Sequence, residues 1–242
     1  MAIRRLYFDI ETSPCLGWFW RPNYQTNLNY GNVIEDAKII CICYKWSNQS
    51  KVYHLNWDSK QNDKAMLEKF VKIMHEADEI VGHNSDKFDT KWIRTRAMFH
   101  DIDMIPDFKS IDTLKQARGL FNLPSNRLDS IGKYYGLGQK LENEPDLWAK
   151  VWRQNNRQAL TRMVKYCKQD VILLEQWFNK INKYIKPVTH ATGIKEDCPE
   201  CGSDDIKLKG FAYTASGTKK QRMQCKCCGK KFQYTPKKIK VK

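Results

Sequence analysis

The sequence of 242 residues contains no apolar run long enough for a transmembrane helix. Its first residues lack the apolar core of a secretory signal peptide, since the arginines at positions 4 and 5 are soon followed by acidic residues. Acidic residues are also few, with 27 Asp and Glu against 42 Lys and Arg, and the formal net charge is +15. These features favour a cytoplasmic protein with a polyanionic partner, most often nucleic acid, over a merely basic soluble protein.

The order of apolar segments predicts an α/β fold with a mixed sheet flanked by helices. β-Branched and aromatic residues favour strands at 3–10, 38–46 and 51–56, the last two forming a hairpin, and a short strand that runs into a loop within 79–84. Apolar spacing and glycines predict helices at 62–78, 88–100, 110–121, 127–138 and 157–184.

Several side chains are assigned to helix faces and helix caps. The helix at 88–100 is expected to face inward with Phe88, Trp92, Thr95 or Arg96, and Phe99. Helix caps are expected at Asn62 or Asp63, at Asp112 and at Asp129.

A change of composition predicts a second, smaller unit at the carboxyl end. Pro187 and Gly193 interrupt the helical pattern, and residues 186–242 hold 14 Lys and Arg against 5 Asp and Glu. We therefore predict a first domain at 1–185, a linker at 186–195, and a zinc ribbon with a basic tail at 196–242.

Two Cys-x-x-Cys pairs in this second unit have the spacing of a metal site. Each pair is followed by glycine, so four thiolates can converge on one tetrahedral ion. We assign one structural Zn²⁺ to Cys198, Cys201, Cys225 and Cys228, leaving Cys227 as the spare cysteine. A thioredoxin-like redox pair is the alternative, but no βαβ pattern surrounds either motif. Lysines interleaved with aromatic residues favour nucleic acid as the ribbon's ligand over a solvated basic surface.

Acidic residues placed inside apolar segments suggest a second metal site. Asp9 and Glu11 lie two residues apart in a predicted strand and so point to one face, where they would repel each other without a cation. Two exposed acids on an edge strand are the alternative. Asp89 begins a predicted helix, and Tyr166 and Asp170 lie one turn apart on another.

Taken in order, "FDIET", "HNSDKFD" and "YCKQD" resemble the three motifs of the DEDD family of 3′–5′ exonucleases, which have a ribonuclease H-like fold. The segment at 110–142 is similar to stretches of family B DNA polymerase proofreading domains. Tyr166 precedes Asp170 by four residues, the spacing of the tyrosine (DEDDy) branch, whereas the histidine branch would need His at 165, which is Lys165.

The resemblance implies a site for two Mg²⁺ or Mn²⁺ ions. By this likeness Asp9 bridges the two ions, and Glu11 and Asp170 complete the coordination of the ion that holds the attacking water. Asp89 holds the second ion, and Tyr166 orients the attacking water. Asp89 is preferred to Asp86 because the family's acid directly follows an aromatic residue. The terminal nucleotides of the substrate would be contacted by Thr12, Asn84, Phe88 and Asn126.

The expected activity is metal-dependent 3′–5′ hydrolysis of single-stranded ends, with DNA as substrate and nucleoside 5′-monophosphates as products. An RNA 3′-end trimming enzyme and a non-catalytic zinc-ribbon nucleic-acid-binding protein are the alternatives. We expect an enzyme of bacterial or viral replication, repair or recombination that is free-standing or acts in trans, with a protein partner possible through the ribbon.

Overall fold

The computed structural model describes residues 3–19, 29–138, 144 and 146–236. The strands are β1 (Arg5–Thr12), β2 (Leu16–Gly17), β3 (Val33–Glu35), β4 (Ile39–Trp46), β5 (Val52–Asn56), β6 (Glu79–Gly82), β7 (Ser110–Asp112), β8 (Ile206–Tyr213), β9 (Lys219–Cys225) and β10 (Lys231–Tyr234). The helices are α1 (Lys64–His75), α2 (Asp89–Phe99), α3 (Thr113–Leu120), α4 (Leu128–Tyr135), α5 (Leu147–Arg153) and α6 (Arg157–Ile181). Short 3-10 turns lie at Tyr30–Asn32 and Asn182–Tyr184.

The central sheet has five strands in the order β5-β4-β1-β6-β7. β4 is antiparallel to both β5 and β1, whereas β6 is parallel to β1 and to β7. The predicted mixed α/β sheet flanked by helices is therefore confirmed. β1 pairs with β6 only from Arg5 to Tyr7, so its last five residues extend beyond that partner.

Alternating side chains of β1 divide the core into two layers. Leu6, Phe8 and Ile10 pack with α1 and α2 on one face of the sheet. Tyr7 packs on the other face with α6, where its ring contacts Phe178 edge to face at 5.7 Å. Asp9 and Glu11 share the α6 face because side chains two residues apart on a strand point the same way.

A second, antiparallel sheet of three strands has the order β10-β9-β8 and follows α6. The Cys-x-x-Cys turn before this sheet contacts the central sheet through an ion pair, in which Arg5 of β1 binds the Glu200 carboxylate at 2.6 Å. The same guanidinium binds Glu79 of β6 at 2.6 Å. The division into domains 1–185 and 196–242 stays a prediction, and residues 237–242 of the predicted basic tail lie outside the described residues. Within the described chain, no helix has both the length and the apolar character to cross a membrane.

The predicted inner face of α2 is only partly right, since Arg96 is buried and Trp92 packs against the core, but Thr95, Phe88 and Phe99 do not face inward. Asp89, Ile93, Arg96 and Ala97 are buried, whereas Phe88 and Phe99 are 40% and 66% exposed. The reason is a buried ion pair, in which the Arg96 guanidinium makes two 2.8 Å hydrogen bonds to the carboxylate of Asp63.

The helix caps are only partly as predicted. The Asp112 carboxylate accepts from the Leu114 backbone N–H at 2.9 Å and caps α3. Asp129 lies inside the first turn of α4, whose N-cap is Arg127. Asp63 occupies the N-cap position of α1 without a capping hydrogen bond from its side chain, because that carboxylate is used by Arg96 and His100.

Candidate active site

Three carboxylates converge where β1 meets α6. Asp9, Glu11 and Asp170 each offer an oxygen, and these oxygens lie within 4.8 Å of one another. Asp170 is buried, whereas the two acids of β1 are partly exposed. Carboxylates at this spacing repel one another unless a cation or proton lies among them, and hard divalent ions prefer oxygen ligands. The donor set therefore fits Mg²⁺ or Mn²⁺.

The backbone of β1 holds its two acids firmly. β4 forms the antiparallel ladder along this stretch, pairing Asp9 with Cys43 and Glu11 with Cys41. The register shifts between Glu11 and Thr12, which places a bulge at the end of the acidic pair. Bulges often occur next to functional sites because they redirect neighbouring side chains.

The third acid comes from the centre of α6, a helix of 25 residues that packs against β1 and β4. Cys167 donates its thiol hydrogen to the backbone carbonyl of Asp9 at 3.4 Å, which ties this turn of the helix to the strand. Tyr166 and Asp170 lie four residues apart and so share one face of α6.

Tyr166 is buried against α5, a helix that the sequence reasoning missed. The indole of Trp148 meets the Tyr166 ring edge to face at 6.4 Å. Leu147 and Val151 are buried at i and i+4 in α5, and this spacing is the signal that could have revealed the helix. Trp148 is therefore a neighbour of the site that the sequence motifs do not indicate.

Asp89 approaches the cluster from the first turn of α2. It is only 3% exposed, and its Oδ1 accepts from the backbone N–H of Ile10 at 3.2 Å, at the edge that β6 leaves open. Burial raises the pKa of Asp89 to about 7, although hydrogen bonds from its own backbone and from the Ile10 backbone oppose this shift. Among the described residues, the carboxylates whose oxygens lie within 4.8 Å of one another do not include Asp89.

A rigid loop between β6 and α2 sets the position of Asp89. A Cβ on Gly82 would come within 2.3 Å of the Ser85 Cβ, so the close approach needs glycine. Asn84 has a φ of +67°, and its N–H donates to Asp112 at 2.9 Å. Asp86, the alternative acid, instead accepts from Ser110 and Lys115, each at 2.6 Å.

The predicted substrate contacts lie at the end of β1, in the loop after β6, at the start of α2 and in the loop before α4. Thr12 ends β1 beside the bulge, and Asn84 lies in the loop after β6. Phe88 packs edge to face on Trp92 at 6.3 Å and keeps an exposed face. The backbone carbonyl of Asn126 lies 2.9 Å from the His83 ring, whose other nitrogen lies 2.9 Å from the Thr113 hydroxyl. His83 thus links the loops that carry Asn84 and Asn126.

The four paired cysteines form a second cluster with sulfurs within 4.8 Å of one another. The two Cys-x-x-Cys turns are built alike. In each, the glycine has positive φ and donates its N–H to the carbonyl of the first cysteine, Gly202 to Cys198 and Gly229 to Cys225. Cys227 lies outside the four-sulfur group. Four converging thiols are compatible with tetrahedral zinc, so this sheet is compatible with a zinc ribbon.

Comparisons with known proteins agree with this architecture. The chain is similar to the family B DNA polymerase from the hyperthermophilic archaeon Pyrobaculum calidifontis, with a TM-score of 0.57 and 18% identity. The match covers 75% of this chain and 25% of the polymerase, so the chain spans about a quarter of that protein. At this identity the likeness shows the fold alone. No curated protein matches the sequence. The profile of the RNase_H superfamily matches residues 6–182, most of the chain. The chain belongs to the RNase_H superfamily.

Proposed function

We propose that this protein is a metal-dependent 3′–5′ exonuclease of the DEDDy type that acts on single-stranded DNA ends. The observation that carries the proposal is the convergence of Asp9, Glu11 and Asp170 within 4.8 Å on two rigid elements of an RNase H-like fold. The direction of cleavage and the preference for a single strand rest on the sequence resemblance to proofreading exonucleases.

Each side chain has a role that its position supports. Asp9, Glu11 and Asp170 would hold the ions, and Asp89 would hold the second ion through water, since its carboxylate lies outside the tight group. When bound, two Mg²⁺ or Mn²⁺ ions activate the attacking water and stabilise the charge that develops on the phosphate and the leaving oxygen.

Tyr166 is suited to orienting the attacking water by a hydrogen bond. Its ring is fixed by Trp148 and by the helix, and it lies one turn from Asp170. A phenol O–H can both donate and accept a hydrogen bond, so Tyr166 can hold a water molecule in this way.

The test is digestion of oligonucleotides labelled at the 5′ or the 3′ end, in the presence of Mn²⁺. The wild type should shorten 5′-labelled strands one nucleotide at a time and release the 3′ label first. Asp9→Asn should reduce the rate by several orders of magnitude. Glu68→Gln, an exposed acid on the far side of the sheet, is the matched control and should keep full activity. Equal activity of Asp9→Asn and wild type would contradict the proposal, and parallel RNA and duplex substrates would reveal a different specificity.

We further propose that the four-cysteine cluster binds one structural Zn²⁺. Zinc favours four thiolates at tetrahedral angles, and a β-sheet this small gains much of its folding energy from such an ion. Metal analysis of the purified protein should give about one zinc per chain. Cys201→Ser should lose this zinc, whereas Cys227→Ser should retain it. Loss of zinc from both variants alike would contradict the choice of ligands.

A further inference from the structure

A groove of about 840 Å³ lies between the end of α6 and strands β9 and β10. We name it the junction groove, because one wall comes from residues 183–190, which follow α6, and the other from the three-stranded sheet. Among the described residues, no Asp or Glu lines it. Its walls carry five lysines, namely Lys183, Lys186, Lys195, Lys220 and Lys231.

These positive charges are not neutralised within the described chain. None of the five lysines forms an ion pair with a described residue, and all but the half-buried Lys220 are exposed. The neighbouring Lys230 differs, because it is buried and its ammonium binds backbone carbonyls and lies near Glu200. Five uncompensated ammonium groups around one groove attract a polyanion.

Three aromatic side chains lie among the lysines. Tyr184 is 56% exposed, and the Lys183 ammonium lies 5.1 Å from the centre of its ring. Phe232 and Tyr234 are two residues apart on β10 and point to one side of the strand. Phe232 and Tyr234 are half-buried, so each keeps only part of its ring accessible. Accessible rings beside positive charges are the pattern with which proteins hold single strands, whose unpaired bases stack on aromatic faces. In a duplex those base faces are covered by neighbouring base pairs.

The junction groove is separate from the acid cluster. Asp170 and Asn182 are 12 residues apart along α6 and its terminal turn, which corresponds to about 18 Å along the helix. Ligands of the groove therefore contact a part of the protein that the carboxylates do not reach.

We propose that the junction groove binds single-stranded nucleic acid, with phosphates on its lysines and bases on its aromatic rings. This inference rests on the proposed function in one respect, because only that function makes the bound strand a substrate. Binding itself needs no cleavage, so a direct binding measurement distinguishes failure of this proposal from failure of the nuclease assignment.

The experiment measures the affinity of a fluorescent single-stranded oligonucleotide by anisotropy, between about 50 and 200 mM NaCl. The parent is Asp170→Asn, to prevent digestion, and the test variant adds Lys186→Ala, Lys220→Ala and Lys231→Ala. Each phosphate contact contributes about 0.7 to the slope of log K against log salt for a single strand, so three lost contacts should reduce the slope by about 2. At the lower salt concentrations the affinity should fall on the order of 100-fold.

The matched control removes Lys64, Lys69 and Lys72, three exposed lysines of α1 on the opposite face of the sheet. It changes the net charge equally and should leave the slope nearly unchanged. Tyr184→Ala should weaken binding about 5-fold or more without changing the slope, because stacking does not depend on counterions. Zinc content and melting temperature of each variant establish that it is folded.

Two results would overturn the proposal. If the groove variant and the α1 control lose the same affinity and slope, the lysines act only through net charge. If a duplex of the same length binds the parent more tightly than the single strand does, and its affinity for the groove variant falls by as much, the ligand is a duplex and the single-strand assignment is wrong. A wild type that binds as predicted but digests nothing would contradict the nuclease proposal and leave the groove assignment supported.

Discussion

Lys230 offers the sharpest test of how the cysteine-rich sheet is held on the first unit. The residue is 2% exposed, and its ammonium donates to the carbonyls of Asn182 at 2.7 Å and Ile185 at 2.9 Å. The Glu200 carboxylate, 3.8 Å away, also accepts from Arg5 and Asn182. Glu200 and Lys230 each lie in or beside a Cys-x-x-Cys turn, so the proposed zinc site positions both.

Replacing Lys230 by Met keeps the aliphatic stem and removes the charge. The carbonyls at the end of α6 then lose a buried donor, and Glu200 loses a neighbouring cation. Burial lowers the pKa of Lys230, whereas the negative charge of Glu200 raises it. Removing one partner from a buried charged network costs about 3–5 kcal/mol. For a protein of this size that lowers the melting temperature by ~6–20 °C.

The assay is thermal unfolding with zinc present in fixed excess, because bound metal itself shifts the melting temperature. Lys231→Met is the matched control, since this neighbouring lysine is exposed and should change stability by no more than about 0.5 kcal/mol. If Lys230→Met melts within about 2 °C of Lys231→Met, the reasoning from burial is wrong.

Two further predictions concern the acid cluster and the core. Tyr166→Phe should lower kcat on the order of 100-fold with little change in KM, measured on a 5′-labelled strand, because the water loses its orienting hydrogen bond. Burial alone would raise the pKa of Asp63, but Arg96 and His100 hold it below the usual value. Its stabilisation is thus complete above the unfolded-state pKa of about 4 and is lost as the pH falls through the lower folded value. Asp63→Asn should therefore be destabilised at neutral pH and lose less further stability in acid, which urea unfolding at several pH values would measure.

The fold followed from local patterns where burial is apolar. The strands β1, β4 and β5 and the helix α6 read directly from alternation and helical spacing, because their inward side chains are hydrophobic. The inner face of α2 followed only in part, because the aromatic residues Phe88 and Phe99 stay exposed while Arg96 is fixed inward by Asp63, 33 residues earlier in the chain. A charge buried by a distant partner leaves no periodic apolar signal.

The candidate site shows the same division. The order of acidic motifs indicated the residues, and the structure brings Asp9, Glu11 and Asp170 together while placing Asp89 just outside that group. Trp148 beside Tyr166 depends on the packing of α5, and the junction groove depends on how residues 183–190 pack beside the three-stranded sheet. Both arise from contacts between segments far apart in sequence, which spacing within one segment does not encode.

β1 and α6 connect the acid cluster to the junction groove as rigid spacers. Arg5 at the start of β1 binds Glu200 in a Cys-x-x-Cys turn, and Glu11 near the end of β1 belongs to the acid cluster. Helix α6 leads from Asp170 to the residues that line the groove. The separation of about 18 Å corresponds to about five stacked nucleotides at 3.4 Å each. Oligonucleotides shorter than this should be cleaved at rates that do not depend on the groove lysines. For longer oligonucleotides, kcat/KM should fall when those lysines are removed. Equal loss for a trinucleotide and a long strand would contradict a fixed spacing between two contacts on one strand.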